Sequence, residues 1–181
     1  MTNPFSQQPR ALESAACVKL MIFDVDGVLT DGQLHLGAEG ELFKSFNIQD
    51  GHGLKLLAQA GIASAIITGR STAMVAKRAA ELGIQYCYQN SHNKLDALAD
   101  LLHRTGLVAK ECGYMGDDWP DIGAMAQVGF AACPAQAHIE VRTRCHYIAQ
   151  NQGGQGAVRE VCDLILRAQG HYFSLLSQTL G

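Results

Sequence analysis

The chain has 181 residues, 48% of them hydrophobic and 17% charged. That is enough for one domain with a proper core, too short for two ordinary ones, and too apolar for a disordered chain. A net charge of −3 offers no general basic field for nucleic acid, and no run of about 18 apolar residues exists to make a transmembrane helix.

Residues 1–14 are polar and lack the basic-then-apolar order of a secretory signal, so 1–16 read as a loose arm. Residues 17–170 read as a single domain, and 171–181 as a weakly amphipathic tail. A first strand is predicted over 18–23. Its apolar run, Leu20, Met21, Ile22 and Phe23, suits a strand buried on both faces. It ends in Asp24, with Asp26 two positions on and Gly27 freeing the chain to turn. A β-hairpin over 33–46 follows: Leu34 and Leu36 alternate with Gln33 and His35, glycines punctuate the middle, and Leu42, Phe43 and Phe46 come after. It is too short to be a domain, and a lone hairpin is marginal in water. It is therefore expected to project from the domain and to pack on something, for which another subunit is a candidate.

Asp50 is expected to cap a helix that Gly61 ends. A buried strand over 62–67 leads to a helix capped by Ser71 and ended by Gly83, then to a strand over 84–88. A helix over 93–105 carries Leu95, Leu98, Leu101 and Leu102 on one face. A strand over 112–115, a helix from Pro120 to 127, and a strand over 128–133 come next. A short helix over 135–142, a last strand over 147–149 and a helix over 158–168 complete the set. Gly153-Gly-Gln-Gly156 lacks the Gly-Lys-Ser/Thr ending of a P-loop and reads as a bend that lets the final helix cross to a neighbouring subunit. Strands alternating with helices imply an α/β fold: a Rossmann-like, three-layer, mainly parallel sheet with a projecting hairpin. Six cysteines (17, 87, 112, 133, 145 and 162) form no C-x-x-C pair and fit no zinc spacing. Most sit in apolar context, as reduced core thiols of a cytoplasmic protein do.

Asp24 would sit at the C-terminal edge of its strand, where open α/β sheets place their chemistry, although Asp also favours turns for its own reasons. Asp117 follows a strand and Gly116 and reaches the same edge; an ordinary loop with Asp as helix cap is the alternative. Lys94 lies near a helix start, an unfavourable place for a cation, and a solvated surface lysine is its plain reading.

Four stretches in order, Asp24-Val-Asp-Gly27, Ile66-Ile-Thr-Gly-Arg70, Asn93-Lys94 and Gly116-Asp-Asp-x-x-Asp121, resemble the haloacid dehalogenase superfamily of phosphoryl-transfer enzymes. The resemblance implies that Asp24 is the nucleophile and becomes an aspartyl-phosphate, while Asp26 protonates the leaving alcohol and later activates water. It implies Mg²⁺, a hard ion that prefers oxygen, on the Asp24 and Asp117 carboxylates and the Asp26 backbone carbonyl. Asp118 and Asp121 would orient the metal site or Lys94. Thr68 would donate its hydroxyl to a phosphoryl oxygen, and Lys94 would hold phosphate and nucleophile together. Where the pattern has glycine before Lys94, this chain has Asn90, which tolerates left-handed backbone.

Neither interval that holds a cap domain in the superfamily is long enough for one here. Within the capless members the chain resembles the 3-deoxy-D-manno-octulosonate 8-phosphate phosphatases of lipopolysaccharide precursor synthesis. The residues that carry this are Asp24-Val-Asp-Gly-Val-Leu-Thr-Asp31, Phe46-Asn-x-x-Asp50-Gly51, Ala65-Ile-Ile-Thr-Gly-Arg70 and Gly153-Gly-x-Gly-Ala-Val-Arg-Glu160. A homotetramer is implied, with hairpin and C-terminal region shaping neighbouring sites and an acidic sugar phosphate as substrate. Its carboxylate needs a cation, for which Arg70, Arg78 and Lys55 are candidates. Arg70 and Arg78 are expected to share a helix face, and Asn47, Ile48, Gln49, Asp50 and Gly51 feed a helix N-terminus suited to anions or hydroxyls. Three alternatives stand beside this reading. One is a phosphatase for nine-carbon, sialic acid type substrates, against which Arg70 argues. Another is a non-catalytic assembly module. The third is a signalling receiver, whose acidic pair comes before its acceptor Asp rather than after.

Overall fold

The structure is a computed structural model and describes residues 9–179. In chain order the elements are α1 (Pro9–Ala15), β1 (Leu20–Phe23), the hairpin strands β2 (His35–Gly37) and β3 (Gly40–Phe43), α2 (Ile48–Gln59), β4 (Ala63–Ile67), α3 (Ala73–Glu81) and β5 (Tyr86–Tyr88). There follow α4 (Lys94–Thr105), β6 (Cys112–Met115), α5 (Trp119–Met125), β7 (Phe130–Cys133), α6 (Ile139–Arg142), β8 (Tyr147–Ile148), α7 (Ala157–Ala168) and α8 (Tyr172–Thr179). Six strands form one sheet in the order β5-β4-β1-β6-β7-β8, and every pairing in it is parallel. β1 lies at the centre, and the chain runs outward from it first to β4 and β5, then to β6, β7 and β8. The point where the direction reverses lies between β1 and β6, and there the crevice beyond the strand ends receives ligands in open α/β sheets.

The apolar run of β1 is buried at all four positions because helices cover both faces. Met21 and Phe23 face a core shared with Leu54 and Leu57 of α2 and with Val158, Val161 and Ile165 of α7. Leu20 and Ile22 face the other layer, with Leu98 and Leu101 of α4, Ala124 of α5 and Val141 of α6. Only a helical turn (Val25–Leu29) and the hairpin separate β1 from α2, and only α3 and β5 separate β4 from α4, so no cap domain interrupts the described chain.

Several local expectations are corrected. Part of the supposed loose arm is the helix α1, whose Ala11 and Ala15, one turn apart, are buried in the α2/α7 core; residues 1–8 lie outside the described residues. Asn47, not Asp50, caps α2: its side chain accepts the N–H groups of Gln49 and Asp50. Thr72, not Ser71, caps α3 by accepting the Val75 N–H. Residues 171–179 of the tail contain the helix α8, whose Tyr172 and Leu175 pack against the core, while 180–181 lie outside the described residues.

The glycine run does not send α7 to a neighbour. Helix α7 buries seven residues within its own chain, and Gly153 and Gly154 lie against the turn after β1. A Cβ at Gly153 would come within 1.9 Å of the Gly27 carbonyl oxygen, so only glycine fits. The Gly154 N–H donates to Val28 O at 3.0 Å, and Gln136 bridges the two segments, accepting from Gly153 N–H at 3.0 Å and donating to Gly27 O at 2.7 Å.

The residue before α7 is Gly156, which has no side chain to cap it. Asp50 does so from α2. It is 1% exposed and accepts from Arg159 N–H at 2.8 Å and Gly156 N–H at 3.3 Å. Burial pushes this carboxyl upward, against the pull of those N–H groups. Asp50→Ala should lower unfolding free energy by about 1–2 kcal/mol, as loss of a helix cap does, with Asp50→Asn costing less. Urea denaturation checks this; an unchanged midpoint in Asp50→Ala would show that the cap contributes nothing.

Candidate active site

Asp24, Thr68 and Asp117 follow the C-terminal ends of the adjacent strands β1, β4 and β6, so sheet geometry alone gathers them beyond one edge. Lys94 is the first residue of α4 and is buried. Its ammonium lies 2.9 Å from Asp24 Oδ2 and 2.6 Å from Asp121 Oδ1. Two carboxylates thus overcome the unfavourable helix N-terminus, and the surface-lysine reading is set aside. The turn before it is left-handed at Asn90, φ 58°.

Asp121, in the first turn of α5, also accepts the Tyr114 hydroxyl at 2.9 Å and the N–H groups of Asp117 and Asp118 at 3.1 and 3.3 Å. Four donors fill the sites a carboxylate offers. Asp24 differs: its Oδ1 is buried and accepts no hydrogen bond. Asp24, Asp117 and Asp121 each bring an oxygen within 4.8 Å of the others. Asp117 lies over the turn after β1, so closely that a Cβ on Gly27 would meet its Oδ2 at 2.1 Å. Gly27 also has φ +88°, a region that L side chains rarely adopt.

Three carboxylates around one ammonium leave an excess of negative charge, and protonation records it. Burial, then the charge of Asp121, pushes Asp24 up to about 6, with Lys94 opposing. Burial, then Asp121, Asp24 and Asp118, pushes Asp117 up to about 7. Burial pulls Lys94 down, but Asp24 and Asp121 outweigh it and hold the ammonium above its ordinary value. The donor set is all oxygen, one buried oxygen is unpartnered, and the surplus charge is negative: these residues fit Mg²⁺.

One cleft is lined by Asp24, Asp26, Thr68, Gly69, Arg70, Lys94, Asp117, Asp118, Pro120 and Asp121. Arg70 is thereby joined to the catalytic candidates, 3.7 Å from Asp26. Arg78 is not, and the expected shared face with Arg70 is corrected. Helix α3 begins only at Ala73, so Arg70 lies outside it and helical spacing does not relate the two. Arg78 donates to Asn47 O at 3.3 Å and Glu81 at 3.0 Å, and with Ile48, Gly51 and Lys55 it lines a separate hollow. Gln49 is exposed beside that segment. Asp50 is turned inward as the cap of α7, which removes it from any ligand surface of this chain.

Two residues of the site escaped the sequence reading. Lys44, on the hairpin's return toward α2, ion-pairs with Asp26 and lies 2.8 Å from Glu41. Glu41 in turn bonds Arg70 at 3.1 Å. The only hint in the sequence is a lysine set between Leu42, Phe43 and Phe46.

No protein-family model matches the chain. Curated relatives do. The 3-deoxy-D-manno-octulosonate 8-phosphate phosphatase of Salmonella typhimurium is 44% identical over 162 residues, 90% of this chain and 86% of the relative. The chain belongs to that phosphatase family. A crystal structure of the Moraxella catarrhalis phosphatase in complex with magnesium, phosphate and KDO is 44% identical, with TM-score 0.91 over 93% of this chain and 97% of that one. A Legionella pneumophila structure assigned to HAD superfamily subfamily III A is 42% identical, with TM-score 0.90 over 95% and 94%. The chain is accordingly a phosphoric monoester hydrolase of the HAD superfamily.

The raised carboxyls set a pH dependence. Without metal, the folded family member keeps protons on Asp24 and Asp117 between their ordinary value of 3.8 and about 6 to 7. The unfolded chain has released them there, so this contribution lowers stability as pH rises through that window. Thermal unfolding should therefore show Mg²⁺ raising the melting temperature more at about pH 8 than at about pH 5. Asp117→Asn should shrink that difference. An equal Mg²⁺ effect at both pH values would refute the charge-surplus account.

Proposed function

We propose that the protein is a Mg²⁺-dependent phosphatase that hydrolyses 3-deoxy-D-manno-octulosonate 8-phosphate to the free sugar acid and inorganic phosphate, a step of lipopolysaccharide precursor synthesis. The observation that carries this is Asp24 held by the Lys94 ammonium at 2.9 Å, beside Asp26 and Asp117 at the point where the sheet's strand order reverses. Family membership and the magnesium, phosphate and KDO of the Moraxella relative support the same substrate.

The chemistry follows from the residues. An Asp24 carboxylate oxygen attacks phosphorus and forms an O–P bond while the ester P–O bond breaks. Asp26 gives its proton to the departing sugar oxygen. Asp26, now a carboxylate, takes a proton from water, whose oxygen bonds phosphorus as the Asp24–P bond breaks. Lys94 and the Thr68 hydroxyl hold the phosphoryl oxygens. Mg²⁺, on Asp24, Asp117 and the Asp26 carbonyl, supplies charge neutralisation when bound. Asp121 fixes Lys94 and the backbone of Asp117, with Asp118 at the rim. All these groups are present, which favours an enzyme over a non-catalytic assembly module.

Arg70 takes the substrate carboxylate within its own chain. The hollow of Ile48, Gly51, Lys55 and Arg78, with Asn47 and Gln49 in the adjoining segment, serves recognition across a subunit boundary in a homotetramer. Supporting assembly, Leu34, Leu36, Leu42 and Phe43 of the hairpin are 44–66% exposed, more apolar surface than a lone hairpin should show to water. A cytoplasmic setting agrees with six unpaired cysteines, three of them buried. Among the described residues no helix is long and apolar enough to cross a membrane.

Phosphate release with Mg²⁺ should be fastest on the eight-carbon acid phosphate, slower on the nine-carbon acid, and absent with chelator; Asp24→Asn should reduce it at least about 1,000-fold. Preference for the nine-carbon acid would transfer the assignment to the sialic acid type. Sedimentation should give about four times the 19.4 kDa chain mass, and deletion of 33–46 should give monomers. A selective monomeric wild type would defeat the assembly proposal.

A further inference from the structure

The hairpin also reaches inward. Asp26, Lys44, Glu41 and Arg70 close a ring of alternating charge drawn from three segments: the turn after β1, the return strand of the hairpin with its exit, and the loop after β4. Lys44 ion-pairs with Asp26 Oδ1 and lies 2.8 Å from Glu41 Oε1. Arg70 closes the ring from the other side, 3.1 Å from Glu41 Oε2 and 3.7 Å from Asp26 Oδ2. The four groups differ in exposure, and that difference assigns their parts. The Lys44 side chain is 1% exposed and that of Glu41 6%, whereas Asp26 is 22% and Arg70 44% exposed.

We propose that Lys44 is a positioning residue for the acid/base carboxylate: it holds Asp26 Oδ1 so that Oδ2 faces the leaving oxygen, with Glu41 fixing Lys44. The inference rests on the proposed phosphatase chemistry and adds the hairpin to it. A buried ammonium with two carboxylate partners has little freedom, and its removal leaves buried charge unpaired. A carboxylate held at one oxygen presents the other in a set direction, which is the requirement for proton transfer over hydrogen-bond distance. Arg70 behaves differently. It is the exposed member, and its contact with Asp26 is the longest of the ring, so it is the member free to turn to an incoming carboxylate. Its departure uncovers Oδ2 while Lys44 keeps Oδ1. Glu41 ion-pairs with both cations in the free protein and so keeps them from drawing on Asp26 alone.

Positioning of the acid predicts a dependence on the leaving group. An alkyl phosphate needs its departing oxygen protonated; p-nitrophenyl phosphate does not, because its phenolate leaves unaided. In the full-length protein with Mg²⁺, Lys44→Met should lower kcat on a simple alkyl phosphate about 100-fold, the lower end of what general acid–base catalysis supplies, with KM changed less than about threefold. The same variant should keep the pre-steady-state burst of p-nitrophenolate within about threefold of wild type, since Asp24 still accepts the phosphoryl group. Lys44→Arg, which retains a cation at that place, should recover most of the alkyl phosphate rate. A p-nitrophenolate burst that falls as far as the alkyl phosphate rate, a change confined to KM, or no rescue by Lys44→Arg despite a native melting temperature would each overturn the proposal. Should Lys44→Met fail to fold, Glu41→Gln, which loosens Lys44 without removing it, must show the same leaving-group selectivity, and its absence would overturn the proposal equally. A wild type that hydrolyses neither ester would count against the phosphatase reading itself, an outcome distinct from any of these.

Discussion

The buried ammonium of Lys94 is the contact on which the site depends. It joins Asp24, at the end of β1, to Asp121, in α5, and it does so from the first turn of α4. Three elements that share no local sequence are thereby tied at one atom. The arrangement is costly in isolation: a cation at a helix N-terminus, removed from water, is opposed by both the dipole and desolvation. It persists because two carboxylates share the ammonium and one of them is itself held. Asp121 is committed to Tyr114 and two backbone N–H groups, which leaves it unable to turn away. The consequence for function is asymmetry between two carboxylates of one cluster. Asp121 is saturated and structural in its bonding, while Asp24 keeps a buried oxygen without a donor. A nucleophile needs a lone pair that nothing else occupies, and the buried Oδ1 of Asp24 meets that requirement where Asp121 does not.

The turn after β1 is positioned from the far end of the chain. Gly153 and Gly154 press on it, Gln136 bridges it, and the Asn47 side chain donates to Gly154 O at 3.3 Å. The same glycine run ends at Gly156, where α7 begins and where Asp50 caps it. Catalytic turn, α2 and α7 are therefore fixed to one another through a single loop. This is why a glycine-rich segment with no phosphate-binding ending still belongs near the chemistry: its bare backbone lets two loops approach to a distance that no side chain permits.

The sequence made the sheet and the motif residues legible because each depends on few neighbours. An apolar run ending in a carboxylate reads as a buried strand with its chemistry at the edge, and β1 with Asp24 is so placed. Motif order brought Thr68, Lys94 and Asp117 to the same edge through parallel topology alone. Caps were missed by one to three residues, since Asn47 and Asp50, or Ser71 and Thr72, are chemically equal candidates and only backbone angles separate them. Local pattern makes Asp50 a cap of its own helix, whereas in the structure it caps a helix more than a hundred positions away, a choice no local pattern records. Helical spacing joins Arg70 and Arg78 in the sequence, but the helix begins after Arg70. The arm hid α1 because its buried face consists of two alanines, too little apolar contrast to stand out against polar neighbours.

Lys44 and Glu41 were illegible for a reason that bears on how the hairpin works. Charges within an apolar hairpin read as solubilising residues on an edge. In the structure the hairpin's two aspects have opposite character: Leu36, Leu42 and Phe43 are turned to solvent, while Lys44 and Glu41 are turned inward over Asp26. That inverts the usual arrangement, in which apolar groups go inside and charges outside. Inversion is stable only if the apolar side gains a partner and the charged side is paired. The ring of Lys44, Asp26, Arg70 and Glu41 meets the second condition within the chain, and subunit contact meets the first in the proposed tetramer. Under both proposals assembly and proton transfer would be coupled mechanically. Whatever packs against Leu36 and Phe43 also fixes the strand that carries Glu41 and leads into Lys44, and through Lys44 the direction in which Asp26 points. In the proposed tetramer the acid would thus be held partly by a neighbouring subunit, and a monomer with every motif residue intact would lack that support.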